Sequence, residues 1–338
     1  MRNTAPTSRR LALISAVIAL FATGLTARQP PTPGREQRGG QYRVGVDLVR
    51  LTVTARDEAG NIVHDLRPEE FRVLEDGVEQ EIAHFGHHES PISVVVLFDK
   101  SGSMADEKLM HAKDAVVNFT RALHARDEVL VIAFSDGVDQ LGQFGLDAKT
   151  IERETKRIRI ESGTRLYDAV IEGASAVAKP DRKEKRAILL LTDGEDTASR
   201  GTLDDAVEAI RKAEVPVYAI GIELEGALPA PWGRGNSLWN RLGASRALDA
   251  LKRLTDGTGG WTYPIVAAKR CKEVCLLVAD ELRNQYLLGY YPTHETRDGR
   301  WRTIMVRTTR PGVTLATRAG YYAAGFSPSG AAERTPAR

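Results

Sequence analysis

The chain has 338 residues, of which 42% are hydrophobic and 27% are charged. This is the composition of a globular protein, and the length predicts one large domain with a smaller one, or two domains of moderate size. The net charge is +2, and it becomes −1 without residues 1–27, whose charged side chains are Arg2, Arg9 and Arg10. We therefore expect no nucleic-acid partner, because such a partner requires a strongly basic surface.

The N-terminus has the pattern of an export signal. A positive patch at Arg9 precedes an apolar run of about 15 residues that ends at Leu25, which is short for a membrane-spanning helix of roughly 20 residues. Cleavage after Gly24 or Ala27 would remove the run, and the alternative is that it stays as a membrane anchor. We predict a signal peptide over residues 1–27, no membrane span in the mature chain if this signal is cleaved, and an exported protein of the periplasm, cell envelope or extracellular space.

The next two segments differ in character. Residues 28–40 are rich in Pro, Gly and Arg and predict a disordered spacer. Residues 41–90 predict an all-β segment of four short strands, because apolar residues alternate along it. Two features are predicted within this segment: a bulge between 44–48 and 51–55, and a hairpin of 71–74 with 78–85.

From Pro91 the pattern changes to strands that alternate with helices. Nearly continuous apolar runs, such as Ile92–Phe98, are typical of strands buried on both faces of a sheet. The predicted strands cover 92–98, 128–134, 138–144, 187–192, 215–222 and 261–264. The predicted helices cover 105–124, 148–160, 165–178, 203–210, 246–256 and 266–284. This order predicts an α/β fold, with a doubly wound and mostly parallel sheet, over residues 91–284.

The C-terminal part of the chain returns to β-structure. Residues 285–325 contain three alternating runs, at 285–291, 302–308 and 313–318, and residues 326–338 predict a loose tail. The β-rich segments before and after the α/β domain are each too small for a core of their own. We therefore expect them to form one smaller β-sandwich-like domain, into which the α/β domain is inserted.

Polar side chains follow two of the buried strands and begin one of the helices. Asp99-Lys100-Ser101-Gly102-Ser103 follows the first buried strand, Ser162-Gly163-Thr164 begins a helix, and Asp193-Gly194 follows the strand 187–192. The carboxyl ends of parallel strands gather at one edge of a sheet, where ligands bind. We therefore expect five side chains to meet in one crevice, namely Asp99, Ser101, Ser103, Thr164 and Asp193.

These side chains offer only oxygen atoms to a ligand. An all-oxygen site suits a hard cation, and Mg²⁺ fits best because it keeps water ligands readily, with Mn²⁺ or Ca²⁺ as alternatives. Two carboxylates do not complete the coordination of a divalent ion. The remaining position predicts a protein partner that presents an Asp or Glu side chain.

The five residues resemble the metal-ion-dependent adhesion site of the von Willebrand factor type A family. Asp99, Ser101 and Ser103 match its D-x-S-x-S motif, Thr164 matches its single threonine, and Asp193 matches its later aspartate in a T-D-G context. The resemblance covers the whole predicted α/β domain. It implies the fold of that family and a bound metal, with the hydroxyls as direct or near-direct ligands and the aspartates often acting through water. The flanking segments are similar to those of bacterial, notably acidobacterial, exported proteins with a related domain.

A long loop, residues 223–245, leaves the carboxyl end of the predicted strand 215–222 and therefore the predicted metal edge. It contains Trp232 and Trp239 among Gly, Pro and Asn residues. Exposed aromatic side chains on a long loop suit an interface anchor, so both are candidates for partner binding. The alternative is that both indoles fold back and seal the domain.

The only two cysteines of the chain, Cys271 and Cys275, are four residues apart on a predicted helix. This spacing places them on one helix face and favours two buried thiols. A disulfide is the geometrically unusual alternative, and metal ligation would need two further soft ligands that the sequence does not identify.

We expect a protein-binding module of adhesion or assembly and no enzymatic activity. The sequence contains no G-x-S-x-G, H-E-x-x-H or G-x-x-x-x-G-K-[ST] motif. One alternative is a metal-dependent hydrolase or phosphotransferase with Asp99 as nucleophile. That chemistry normally places a second acid two residues further on, where this chain has Ser101. Another alternative is a structural envelope protein whose metal only stabilises the fold.

Overall fold

The computed structural model describes residues 48–87, 90–224, 238–294 and 296–323. The predicted signal peptide (1–27), spacer (28–40) and tail (326–338) lie outside these ranges. Within the described ranges, no helix is both long enough and apolar enough to cross a membrane.

The described chain starts with four strands, continues through an α/β region and ends with four more strands. The first group is β1 (Val49–Arg56), β2 (Phe71–Glu75), β3 (Val78–Gln80) and β4 (Ile82–His87). The α/β region contains β5 (Ile92–Asp99), β6 (Glu128–Phe134), β7 (Val138–Gln140), β8 (Lys185–Thr192), β9 (Val217–Ile222) and β10 (Thr262–Ile265). Its helices are α1 (Glu107–Ala122), α2 (Ala148–Arg157), α3 (Leu166–Val177), α4 (Leu203–Ala213), α5 (Leu238–Thr255) and α6 (Cys271–Arg283). The last group is β11 (Tyr286–Tyr290), β12 (Trp301–Thr308), β13 (Thr314–Ala316) and β14 (Gly320–Tyr322).

The α/β region is built on a six-stranded sheet of order β10-β9-β8-β5-β6-β7. All neighbouring strands are parallel except β7, which runs antiparallel to β6 at one edge. Every residue of β5 is buried, because helices α1, α2 and α6 cover one face of the sheet and α3, α4 and α5 cover the other. The predicted fold class, a doubly wound and mostly parallel sheet, is therefore confirmed.

The flanking strands form two four-stranded sheets, of order β13-β1-β11-β4 and β14-β12-β2-β3. Each sheet combines strands from before and after the α/β region: Leu51 of β1 lies opposite Leu288 of β11, and Val73 of β2 lies opposite Val306 of β12. Side chains of both sheets share one apolar cluster, in which the Phe71 and Tyr286 ring centroids are 5.2 Å apart. The expected sandwich with an inserted α/β domain is therefore confirmed.

Several predicted elements were wrong in extent, among them the strand predicted at 313–318, which covers only Thr314–Ala316, and the helix predicted at 266–284, which begins at Cys271. The hairpin arm 78–85 is divided, since β3 pairs with β2 while β4 pairs with β11 in the other sheet. The Gln80 side chain marks this crossing, because its amide donates to the Thr293 hydroxyl and its carbonyl accepts from the Thr293 N–H. The edge strand predicted at 138–144 covers only three residues, and α5 begins at Leu238 instead of 246.

The α5 error came from assigning residues 238–245 to a loop, although this segment contains Leu, Arg and Ala, which favour helix. The predicted bulge near residue 50 is not seen within β1, which is continuous from Val49 to Arg56. Residues 44–47, the other side of that bulge, lie outside the described ranges.

The thiols of Cys271 and Cys275 are both free and fully buried on α6. Burial raises the pKa of the Cys271 thiol to about 12 and also raises the pKa of the Cys275 thiol well above its usual value. Both thiols are therefore buried and free, as their spacing on the predicted helix favoured.

A buried lysine ties the α/β domain to the sandwich. Lys185, the first residue of β8, is 1% exposed, and its Nζ donates to the carbonyl oxygens of Arg283 at 3.2 Å and Gln285 at 3.0 Å. These carbonyls stand where α6 passes into β11. Burial lowers the pKa of the Lys185 ammonium to about 8.

Replacement of Lys185 by methionine should lower the free energy of unfolding by about 1–3 kcal/mol, because two buried carbonyls lose their donor. Between about pH 8 and about pH 10 the unfolded lysine holds a proton that the folded one has lost, so this group makes the wild type more stable as pH rises. The stability difference between wild type and variant should therefore widen over this interval in urea titrations. The exposed Lys179→Met variant is the control, and a Lys185→Met variant of unchanged stability would contradict the prediction.

Candidate metal centre

Asp99 is the last residue of β5 and is fully buried. Its Oδ1 accepts a hydrogen bond from the Ser101 N–H at 2.8 Å, and its Oδ2 accepts one from the Thr192 hydroxyl at 2.6 Å. The first of these bonds is local to the loop after β5, whereas the second joins the carboxyl ends of the neighbouring parallel strands β5 and β8. The Asp99 carboxylate is therefore held in one place between the first and third predicted segments.

The two serines of the first loop lie side by side, with their Oγ atoms 3.1 Å apart. Ser101 is 1% exposed, whereas Ser103 is exposed. A short 3₁₀ turn, Gly102–Met104, carries Ser103, and the buried Met104 side chain anchors it. Ser101 precedes this turn, but its hydroxyl makes no capping hydrogen bond. The Ser101 hydroxyl therefore does not act as a helix cap.

Thr164 lies in a segment between the first and third loops. Glu161, at the start of this segment, forms a parallel bridge with Ser101. The Thr164 carbonyl accepts hydrogen bonds from the N–H groups of Thr197 and Ala198, each at 3.0 Å. Thr164 itself is 4% exposed and stands just before α3. Its segment is thus bonded to both of the other predicted segments.

Asp193 follows the last residue of β8 and is 7% exposed. Its Oδ1 is buried and has no hydrogen-bond partner among the described residues, while its Oδ2 lies 3.7 Å from the Lys108 ammonium. Gly194 has φ +85°, and a Cβ atom there would lie 2.8 Å from the Ala247 Cβ. The turn that presents Asp193 therefore requires glycine at this position.

The electrostatics of the crevice favour a bound cation. Burial raises the pKa of the Asp99 carboxyl to about 6, although hydrogen bonds from Ser101 and Thr192 act in the opposite direction, and the nearby Asp193 raises it further. Two carboxylates that repel each other in a poorly solvated place are stabilised by a positive ion.

The donor set decides which ion would fit. The described residues contain no group of three or more His, Cys, Asp or Glu side chains that could hold a metal. A site here would depend on two carboxylates together with hydroxyl oxygens, which suits a hard cation. The buried, unpartnered Oδ1 of Asp193 is an acceptor that such an ion would satisfy. The residues present therefore fit Mg²⁺.

Part of the α/β region matches a family of known proteins. Residues 94–195 match the family model of the von Willebrand factor type A domain. The match runs from β5 to the loop after β8, so this part of the chain is similar to a von Willebrand factor type A domain, and we call the α/β region that contains it the type A domain. Such domains typically mediate protein–protein interactions.

Relatives share the type A domain but are much longer. The inter alpha-trypsin inhibitor, heavy chain 4 of Mus musculus is 30% identical over 169 residues, which cover 44% of this chain and 16% of the mouse protein. The corresponding Homo sapiens heavy chain H4 is 24% identical over 180 residues, which cover 48% of this chain and 19% of the human protein. The chain therefore matches less than a fifth of the length of these relatives. A solved structure, von Willebrand factor type A from Catenulispora acidiphila, has a TM-score of 0.46 and 13% identity, and covers 82% of this chain and 75% of that one.

Three residues that surround the candidate metal centre were not identified from the sequence, namely Thr192, Lys100 and Lys108. Thr192 holds Asp99, and its Oγ1 also accepts a hydrogen bond from the N–H that follows Asp193. Lys100 is 6% exposed, and its Nζ pairs with Glu161 at 2.5 Å and with an exposed aspartate at 2.9 Å. Lys108 reaches Asp193 from α1. The T-D-G context pointed to Thr192, but no sequence signal marked the two lysines.

Other carboxylates near the crevice hold the surrounding loops in place. Asp168 accepts hydrogen bonds from the N–H groups of Arg200 and Gly201 at 2.9–3.2 Å. Asp196 accepts one from the Ser199 hydroxyl at 2.5 Å. Both therefore shape the loop between β8 and α4.

The side chains of the two tryptophans predicted to contact a partner lie outside what the structure describes. Trp232 lies outside the described residues. Trp239 is in the first turn of α5, but its side chain also lies outside them. The start of their segment, Glu223, has φ +57° and pairs with Lys108 at 3.6 Å. The described start of the segment therefore lies next to Lys108, which also contacts the candidate metal ligand Asp193.

Proposed function

We propose that this chain is an exported, metal-dependent protein-binding module of adhesion or assembly. The observation that carries the proposal is the buried Oδ1 of Asp193, which has no partner among the described residues, beside the buried carboxylate of Asp99. An unpaired carboxylate oxygen in this environment is costly unless a cation neutralises it.

The ion, Mg²⁺ with Mn²⁺ or Ca²⁺ as alternatives, would be held by Asp99, Ser101, Ser103, Thr164 and Asp193. When bound, it would supply a positive centre that attracts a carboxylate oxygen from an Asp or Glu of the partner. The protein's own contribution is orientation. Asp99 is fixed by two hydrogen bonds, and the exposed Ser103 places its hydroxyl where the centre meets solvent.

The structure supports binding over phosphoryl transfer at Asp99. Both carboxylate oxygens of Asp99 already accept hydrogen bonds, and the side chain has no exposed surface. A nucleophile must reach its substrate, so this environment disfavours attack by Asp99.

Calorimetric titration of the full chain with MgCl₂ and MnCl₂ tests the metal. We expect saturable binding of one ion by the wild type and at least about tenfold weaker binding by Thr164→Ala, because one oxygen ligand is removed. Thr314→Ala, which removes an exposed threonine hydroxyl from β13, is the matched control. Absence of any uptake by the folded wild type would refute the proposal.

Partner binding is tested by affinity capture from envelope extract, with Mg²⁺ and with chelator in parallel. We expect a protein that is retained with Mg²⁺ and released by chelator, and that Thr164→Ala does not retain. If the metal is bound but retention does not depend on it, the ion has only a stabilising role.

The two tryptophans remain proposed anchors for the partner. Replacement of both Trp232 and Trp239 by alanine should weaken partner retention by about tenfold or more, as loss of interface aromatics commonly does, without lowering the melting temperature. A large fall in melting temperature would instead show that both indoles seal the domain.

Lys108 should oppose metal binding. Its ammonium lies 3.7 Å from Asp193 Oδ2 and would repel an ion that shares this carboxylate. Replacement of Lys108 by methionine should therefore tighten Mg²⁺ binding by about tenfold, which corresponds to about 1.4 kcal/mol. Lys212→Met, an exposed change on α4, is the control. Equal or weaker binding by Lys108→Met would show that the ammonium does not compete with the ion.

A further inference from the structure

A cavity of about 350 Å³ lies at the seam between the sandwich and the type A domain. Its walls include strands β1, β11 and β14, and the amino ends of β8 and β9. Arg186, in its wall, is the second residue of β8, whereas Asp193 follows the last. At about 3.3 Å per residue, the cavity is about 20 Å from the metal centre, at the opposite edge of the sheet. Cavities of roughly 300–1,000 Å³ at such seams are typical of small-molecule sites.

Positive charge dominates the cavity wall. Basic side chains in the wall are Arg50, Arg186, His294, Arg297 and Arg318, against the acids Glu184 and Glu214. Glu214 is already paired with Arg318, and Glu184 accepts a hydrogen bond from a serine hydroxyl at 3.3 Å. Over the residues that the structure describes, neither Arg50 nor Arg186 has a carboxylate partner.

Arg186 is held in place by the protein backbone. Its Nε and Nη1 donate to the carbonyl oxygens of Lys183 at 3.1 Å and Ala178 at 3.2 Å. Burial lowers the pKa of this guanidinium, and the positive charges of Arg50 and Arg182 lower it further, while the carboxylates of Asp181 and Glu214 act more weakly in the opposite direction. A fixed guanidinium that is repelled by its neighbours is suited to an oxyanion, which would relieve the repulsion.

The remaining wall is apolar and includes Leu48, Val215, Pro216, Leu287 and Pro292. Combined with the guanidinium pair, this surface would accept both a charged group and a hydrocarbon or ring. We propose that the cavity binds a small organic anion, with its oxyanion head at Arg50 and Arg186 and its apolar body against Leu287 and Val215. This site is independent of the metal centre.

Segments of the chain itself are poor occupants because their charge has the wrong sign. Leu48 and Ala323 both line the cavity. Residues 28–47, which precede Leu48, contain four arginines and two acids. Residues 324–338, which follow Ala323, contain two arginines and one glutamate. Both segments would bring more positive charge to a basic wall.

The test is a fluorescence titration of the full chain with anilinonaphthalene sulfonate, an aromatic anion. We expect saturable binding of one probe molecule by the wild type. Arg50→Glu, which changes an exposed side chain, should weaken it by about 10- to 100-fold, as expected for loss of a charge-assisted hydrogen bond. Displacement of the probe by benzoate and by phenyl phosphate then distinguishes a carboxylate-binding from a phosphate-binding site.

Arg307→Glu is the matched control, because it makes the same charge change on the exposed side of β12 and should leave the affinity within about twofold. The affinity for the probe should be the same with Mg²⁺ and with chelator. The anion-site proposal can therefore fail without affecting the metal-site proposal. Equal probe affinity in wild type and Arg50→Glu would overturn the proposal, as would absence of saturable binding to the folded wild type.

Discussion

Replacement of Glu281 by alanine is expected to lower the free energy of unfolding by about 3–5 kcal/mol, because it leaves a partly buried guanidinium without its counter-ion. Glu281, on α6, is fully buried and forms an ion pair with Arg56 of β1. It also accepts hydrogen bonds from the hydroxyls of Tyr218 at 2.9 Å and Tyr263 at 3.3 Å. This one carboxylate therefore connects the sandwich with three elements of the type A domain.

Urea denaturation of the wild type, Glu281→Ala and two further variants measures this effect. Glu281→Gln keeps the acceptor oxygen but removes the charge, so its loss should be smaller than that of Glu281→Ala. Glu273→Ala, on the same helix and in an exposed pair with Arg270, should change stability by no more than about 0.5 kcal/mol. A loss below about 1 kcal/mol for Glu281→Ala would show that the ion pair and hydrogen bonds barely offset the cost of burying the charge.

Replacement of Asp99 by asparagine should weaken Mg²⁺ binding by at least about 100-fold. Loss of a metal ligand should cost at least as much affinity as loss of a residue that only orients a ligand, which typically costs about 10- to 100-fold. The same change should raise the stability of the metal-free protein by about 1–2 kcal/mol, because a buried charge near Asp193 is removed while an oxygen remains for the Ser101 N–H. Binding and stability should therefore change in opposite directions.

Thermal unfolding with and without Mg²⁺ separates the two effects. Wild type at 100 times the dissociation constant should gain about 2.7 kcal/mol, and Asp99→Asn should gain nothing. Asp204→Asn, an exposed aspartate on α4, should respond as the wild type does. A strongly destabilised Asp99→Asn would mean that Asp99 serves mainly to hold the turn, and undiminished Mg²⁺ uptake would exclude it as a ligand.

The sequence predicted the α/β domain well because its strands are buried on both faces and have nearly continuous apolar runs. Strand β6 occupies the predicted residues, and β5 extends the predicted strand by only one residue, Asp99. The flanking strands were harder, because alternation shows that a segment is a strand but not which sheet it joins. The crossing near Gln80 depends on contacts with Thr293, which is distant in the sequence.

In the candidate metal centre, too, some features could be predicted from the sequence and others depend on tertiary contacts. The D-x-S-x-S motif and the T-D-G turn predicted which residues would supply oxygen ligands, and the structure places the loops of these two motifs at one edge of the sheet. The surrounding charges could not be predicted, since a helix such as α1 carries many lysines and only packing selects Lys108 to face Asp193. The Lys100–Glu161 pair likewise depends on a tertiary contact.

The inserted topology determines how a pulling force would pass through this molecule. His87 in β4 lies directly opposite Tyr286 in β11, so the chain leaves the sandwich for the type A domain and returns to it on adjacent, hydrogen-bonded strands. Tension applied between Leu48 and Ala323 is therefore transmitted by the two sheets of the sandwich. The type A domain lies outside this path of force. The loops that carry its proposed metal ligands therefore keep their geometry until the pairing of β4 with β11 breaks.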